Sequence, residues 1–150
     1  MSLERFPTTH KSELTALGFD YGTQRIGVAF GQSVSGTARA LPILSARDGI
    51  PDWDQVQKLI DSWQPDVLVV GMPFNMDGSE SELMQRARKF ANRLHGRFHL
   101  PCYGIDERLS SHAAEELTGN RDEAIDSVAA QLILETWFYE LKTFAREGSH

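Results

Sequence analysis

Hydrophobic and polar positions along the chain change period several times, and each change marks a new element. Residues 14–19 are mostly apolar, end at Asp20-Tyr21-Gly22, and read as a buried strand. A second apolar run at 26–30 follows the turn Gly22-Thr23-Gln24-Arg25, and strands this close in sequence pair as a hairpin. Residues 38–44 give a third strand, with Pro42 pointing to a sheet edge. The period then becomes helical. Trp53, Val56, Leu59, Ile60 and Trp63 share one face, Asp52 or Asp54 can cap the start, Pro51 supports a boundary there, and Pro65 ends the helix. The β-branched run at 66–70 predicts a central strand buried on both faces, stopping at Gly71-Met72-Pro73.

After a loop at 74–79, a long amphipathic helix is expected to bury Leu83, Ala87, Phe90, Ala91 and Leu94. Residues 102–105 form a fifth strand, ending at Asp106-Glu107-Arg108. A short helix follows Ser110-Ser111, with Ala113, Ala114 and Leu117 inward. The last helix runs from about 123 to 144, with Ile125, Val128, Ala129, Leu132, Ile133 and Thr136 on its buried stripe. This order predicts an α/β fold: a mixed five-stranded sheet, three antiparallel strands and then parallel strands, flanked by helices. In such sheets ligands sit outside the carboxyl ends of the parallel strands.

The 150 residues suit one domain at 14–144, preceded by a flexible extension at 1–13 and followed by a frayed C-terminus at 145–150. The single cysteine, Cys102, excludes an intramolecular disulfide or a Cys-rich zinc site and lies in an apolar stretch, as an inert thiol would. No run approaches the roughly 20 apolar residues of a membrane helix. The polar N-terminus lacks the apolar core of a signal peptide, so a cytoplasmic protein with no membrane partner is expected. A net charge of −6 argues against a general nucleic-acid binder and moves attention to local charge.

Three acids fall where the predicted sheet places chemistry: Asp20 after the first strand, Glu107 after the fifth, and Asp126 in the first turns of the last helix. Carboxylates without histidine or thiol partners prefer hard cations, here Mg²⁺ or Mn²⁺. Two such ions about 3.5–4 Å apart can activate water and stabilise the leaving oxygen of a phosphodiester. Each acid alone also reads as an ordinary turn, loop or helix-dipole residue; their shared edge favours a site. Asp106 reads as a strand-end cap. The loop from Gly71 to Ser79 follows a central strand and opens a helix, where backbone amides attract phosphate, and Asn75 and Ser79 can donate to it. Arg86, Lys89, Arg93 and Arg97 share a helical face that reads mainly as solvated. Arg25, Arg39 and Arg108 are better placed to offset the acids and hold phosphates. His95, His99 and His112 show no metal-ligand spacing, and Trp53 and Trp63 read as core anchors.

Four ordered stretches resemble the YqgF/RuvX family, whose members are described as Holliday-junction-resolvase-like. They are Asp20-Tyr21-Gly22-Thr23-Gln24-Arg25-Ile26-Gly27-Val28-Ala29, Val70-Gly71-Met72-Pro73-Phe74-Asn75-Met76-Asp77-Gly78, Asp106-Glu107-Arg108-Leu109-Ser110 and Ile125-Asp126-Ser127-Val128-Ala129-Ala130. The resemblance implies a ribonuclease-H-like fold, a bacterial cytoplasmic protein, and a nuclease that trims the 5′ end of pre-16S ribosomal RNA. It implies that Asp20, Glu107 and Asp126 are both catalytic and metal-holding. The nucleic-acid contacts expected beside them are Gly22, Thr23, Arg25, Asn75, Gly78, Ser79 and Arg108. Two departures stand out. Where the family carries a Lys-Gly pair before the last aspartate, this chain reads Arg121-Asp122-Glu123-Ala124. Where many relatives of the fold carry an acid after the fourth strand, this chain has Gly71-Met72-Pro73, so Glu107 must substitute from the neighbouring strand.

The leading expectation is hydrolysis of structured RNA by a monomer or homodimer. Cutting a four-way DNA junction is a second reading and needs a symmetric pair of sites. Asp-x-Gly-Thr also opens the phosphate motif of actin- and sugar-kinase-like proteins, which need two such domains where 150 residues supply one. A non-catalytic RNA- or ribosome-binding assembly factor is the fourth.

Overall fold

The computed structural model describes residues 13–75, 77–107 and 122–148, without the side chains of 122–127 and 144–148. The N-terminal extension up to residue 12, Arg108, the short helix expected after Ser110-Ser111, and Arg121 lie outside it. The described elements are β1 (Thr15–Asp20), β2 (Arg25–Gln32), β3 (Thr37–Arg47), β4 (Ile50–Pro51), α1 (Trp53–Trp63), β5 (Val67–Met72), α2 (Glu82–Phe98), β6 (Cys102–Asp106) and α3 (Asp122–Gly148). They form a six-stranded sheet in the order β4-β3-β2-β1-β5-β6. β1, β2 and β3 pair antiparallel, and β1, β5 and β6 pair parallel. No helix among the described residues is long and apolar enough to cross a membrane.

The expected mixed sheet is present with one strand more than the predicted five. β4 has only two residues, too few to show a period. Its signal is the turn before it: Asp48 and Gly49 both take positive φ, 50° and 83°, as a two-residue hairpin turn requires. β4 pairs outward with Ala46 and Arg47, so the rest of β3 remains an edge, as Pro42 suggested. Pro42 and Ile43 together face Gly27 at a register shift, where a missing N–H is tolerated.

Alternation along the strands divides the core into two layers. Leu17, Phe19, Leu68, Val70 and Met72 face α1 and α2, joined there by Val56, Met84, Ala87, Phe90, Ala91 and Leu94. Ala16, Val67, Val69, Tyr103 and Ile105 face α3, which buries Ala130, Ile133, Leu134, Trp137 and Phe138 against them. β5 is buried along its whole length, as its apolar run predicted. Trp53 and Trp63 are partly buried anchors, packed on Phe90 and Phe30.

Two stripes differ from expectation. On α2, Met84 is buried and Leu83 exposed, because the helix is capped by Ser81 and its phase is set from there. On α3, Ala130, Leu134, Trp137, Phe138 and Leu141 are buried, whereas Val128, Leu132 and Thr136 are only partly so. Apolar residues surround much of this helix, so periodicity alone leaves its phase open. The sheet chooses, and Gly18 shows how closely: a Cβ there would lie 2.5 Å from Leu134 Cγ.

The start of β1 is tied to the start of β5. The Thr15 N–H donates to Asp66 Oδ2 at 2.9 Å, the Thr15 hydroxyl donates to the same oxygen at 3.2 Å, and the Asp66 N–H donates to the Thr15 carbonyl at 2.9 Å. Asp66→Ala leaves the partly buried Thr15 N–H unpaired and is expected to destabilise the fold by about 1–3 kcal/mol, measured by urea unfolding. A midpoint unchanged from wild type would show that the clamp contributes nothing.

Candidate functional site

β1, β5 and β6 end side by side. Phe19 pairs with Val70, so Asp20 comes next to Gly71, and Gly71 in turn pairs with Ile105. Phe19 faces α1 and α2, so Asp20 belongs to the opposite, α3 face. Glu107, immediately past β6, continues the α3-facing positions of Tyr103 and Ile105. Gly71 lies between the two acids. A Cβ at Gly71 would stand 3.0 Å from Glu107 Oε1 and 2.7 Å from Ile133 Cδ1. The Glu107 carboxylate therefore lies over the bare backbone of β5, where another residue would have its side chain. The Glu107 side chain thus reaches the level of Gly71 from the neighbouring strand.

Asp126 is in α3, four residues before Ala130 and seven before Ile133, and its carboxylate lies outside the described residues. Among the described side chains no group of three His, Cys, Asp or Glu converges, a set that leaves Asp126 out. The structure brings Asp20 and Glu107 to one face of one sheet edge. Asp106, one residue from Glu107, takes the other face by strand alternation.

The first loop is held by its backbone. A Cβ at Gly22 would meet the Arg25 carbonyl oxygen at 2.5 Å, so only glycine fits this tight turn. The Thr23 carbonyl accepts from the Gly49 N–H and the Gln24 carbonyl from the Ala46 N–H, both at 2.8 Å. Arg25 opens β2 with an exposed side chain. Arg39 is not beside the acids as expected: its guanidinium lies 5.6 Å from the centroid of the Trp63 ring, on the α1 side of the sheet. β3 is two strands away from β1, which takes Arg39 out of reach.

The second loop is folded on itself. Asn75 Nδ2 donates to Ser79 Oγ at 3.0 Å, Ser79 Oγ donates to Asp77 Oδ1 at 2.6 Å, and Gly78, at φ 89°, donates its N–H to the Asn75 carbonyl at 2.9 Å. The helix begins later than expected. Ser81 is its cap, accepting from the Met84 N–H at 3.0 Å and donating to the Pro73 carbonyl at 3.1 Å. One amide of the α2 N-terminus is thereby already satisfied by the protein.

A cleft on the opposite face was not legible in the sequence, because its walls come from distant segments. Tyr21, next to Asp20, turns to the α2 side, where its buried hydroxyl donates to the Gly49 carbonyl at 3.1 Å. Burial raises the Tyr21 pKa above its ordinary value; Asp48 adds to this, and Arg86 and Arg93 oppose it. The Asp48-Gly49 turn, Ile50, Tyr21 and Phe90 enclose about 190 Å³ together with Arg86, Lys89 and Arg93. The predicted solvated row of cations is thus divided. Arg86 pairs with Asp48 at 3.0 Å, Arg97 covers the Trp53 ring at 4.3 Å, and Lys89 and Arg93 line the cleft.

The chain resembles known proteins in sequence and in fold. The family model described as "RuvX: Holliday junction resolvase" matches residues 14–140. A protein of Chromohalobacter salexigens is 57% identical over 129 residues, covering 81% of this chain and 87% of the relative. One of Pseudomonas paraeruginosa is 53% identical over 131 residues, covering 83% and 91%. Both carry the name "Putative pre-16S rRNA nuclease". Among solved structures, Thermus thermophilus RuvC in complex with a Holliday junction substrate superposes with a TM-score of 0.54 at 13% identity, covering 87% of this chain and 96% of that one. The yeast mitochondrial Holliday junction resolvase Ydc2 gives 0.52 at 12% identity, covering 93% and 83%. These two likenesses establish the ribonuclease-H-like fold.

Cys102, where the sequence suggested a buried, inert thiol, is partly buried. It packs against the α1–α2 core, and loss of solvation pushes its thiol from 9.0 up to about 12. Because the folded value is the higher, the thiol's contribution to stability is full below about pH 9 and lost as pH rises towards 12. A thiol reagent at pH 8 is expected to label the native protein far more slowly than the urea-unfolded chain. Equal rates would contradict the burial.

Proposed function

The chain belongs to the RuvX family, and from that premise we propose that it is a metal-dependent nuclease hydrolysing a phosphodiester near the 5′ end of pre-16S ribosomal RNA in the cytoplasm. The observation that carries this reading is the pair of carboxylates, Asp20 and Glu107, on one face of one sheet edge with the bare Gly71 between them. Asp126 completes the set from α3: it falls on the same helical stripe as Ala130 and Ile133, and Ile133 is the residue of α3 that meets Gly71.

The donors suit Mg²⁺ or Mn²⁺, since all are oxygens and no thiol or imidazole is among them. Asp20 and Asp126 would hold the ions, most simply two. When bound, they lower the pKa of water and neutralise charge on the phosphate. Glu107 orients the attacking water and accepts its proton as the water oxygen bonds to phosphorus. The bond to the leaving oxygen breaks, and that oxygen takes a proton from solvent. Gly71 keeps the Glu107 carboxylate in place by offering nothing to displace it. Arg25, exposed at the loop mouth, and Arg108 steady the flanking phosphates bidentately. Gly22 and Thr23 shape the first loop. Asn75, Gly78 and Ser79 form a rigid second wall at the RNA backbone.

The family description favours one other substrate, a four-way DNA junction, which would require two chains to cut two strands. The same assay separates the two, with a pre-16S fragment and a synthetic junction as parallel substrates.

Asp20→Asn is expected to lower Mg²⁺-dependent RNA cleavage by about 10²–10⁴-fold. Cleavage equal to wild type would refute the site. Gly71→Ala pushes Glu107 aside and is expected to cost about 10²-fold in kcat while the far-UV circular dichroism stays native. Wild-type kcat in the folded variant would place Glu107 outside the chemistry.

A further inference from the structure

The cleft behind Asp20 is the one concavity among those described in which basic side chains outnumber acids and which adjoins the proposed site. Arg86, Lys89 and Arg93 face it, against Asp48 alone. Asp48 is already paired with Arg86. Its floor is fixed. Gly49 holds positive φ, donates to the Thr23 carbonyl and accepts from Tyr21, and a Cβ there would lie 1.9 Å from the Tyr21 hydroxyl. At about 190 Å³ it has room for several waters, each claiming about 30 Å³, and hence for a phosphate group with part of its hydration. Tyr21 follows Asp20 directly, so the cleft and the acids lie on the two sides of one strand end. A chain of phosphates crossing the end of β1 meets both.

We propose that this cleft, through Lys89 and Arg93 with Arg86 and Tyr21 behind them, binds a backbone phosphate of the RNA strand flanking the phosphodiester to be cut. The proposal rests on the nuclease reading and adds a site to it. Charge complementarity alone would also admit an acidic peptide. Continuity with Asp20 through Tyr21 favours the nucleic-acid strand. It also reconciles a chain of net charge −6 with a polyanionic substrate: the attraction is local, concentrated on one helix of the side that carries no proposed ligand acid.

The test uses the full-length protein with Asp20→Asn as a non-cleaving parent, and fluorescence anisotropy of a labelled single-stranded RNA across a KCl series. Adding Lys89→Gln and Arg93→Gln is expected to weaken binding uniformly across RNA sequences. It should also flatten the slope of log affinity against log salt by about 0.7, the value for one phosphate contact on a single strand. Lys89→Arg with Arg93→Lys should restore the slope, and Arg97→Gln, whose guanidinium lies on Trp53, should leave it at the parent value. A slope unchanged by the double glutamine variant overturns the cleft, as does a parent that fails to bind RNA at low salt. The first result leaves the nuclease reading intact; the second would count against that reading too, and comparing RNA cleavage by wild type and Asp20→Asn decides it separately.

Discussion

The arrangement depends on the parallel register of β1, β5 and β6. Side chains alternate between faces with a period of two, so a slip of one residue would carry an acid to the opposite layer of the core. Thr15 and Asp66 oppose that slip at the amino end by reciprocal hydrogen bonds between main chain and side chain. Burial opposes it along the length, because β5 is apolar on both faces and Leu17, Phe19 and Val70 fit one layer only. At the carboxyl end the result is a row: Asp20, Gly71, then Ile105 with Glu107 beyond. The chemistry proposed for the protein is a consequence of where that row ends.

Within the row the smallest residue has the largest effect. Gly71 contributes no side chain, and the space it leaves is taken by the Glu107 carboxylate and the end of Ile133. A carboxylate can be delivered to one place in a sheet edge from the strand beneath it or from the strand beside it. This chain uses the second route, which needs a vacancy at the first. The same contact brings α3 to the site, since Ile133 shares its helical stripe with the position of Asp126.

Gly49 plays the corresponding part on the opposite face. Its positive φ closes the hairpin into β4, its N–H fixes the first loop, and its carbonyl holds Tyr21. One turn therefore sets both the shape of the loop beside Asp20 and the wall of the basic cleft. Lys89 and Arg93 are exposed on α2, while Arg86 and Arg97 engage Asp48 and Trp53.

Local pattern was enough for the order of elements, the burial of β5, the helix over Trp53–Trp63 and the placement of Asp20 and Glu107 at strand ends, since periodicity and turn residues report each segment's own burial. It was also enough for the family, through motifs whose residues lie close together in the chain. It could not decide the phase of α3, the burial of Met84 over Leu83, the two-residue β4, or the division of the cation row. Each of those depends on which distant segment arrives to cover a position. Leu134 is inward because Gly18 leaves room for it, and Arg39 is remote from the acids because β2 separates its strand from β1 and its guanidinium lies on Trp63. Residue types and spacing determined what chemistry was available; only long-range packing determined which side chains met.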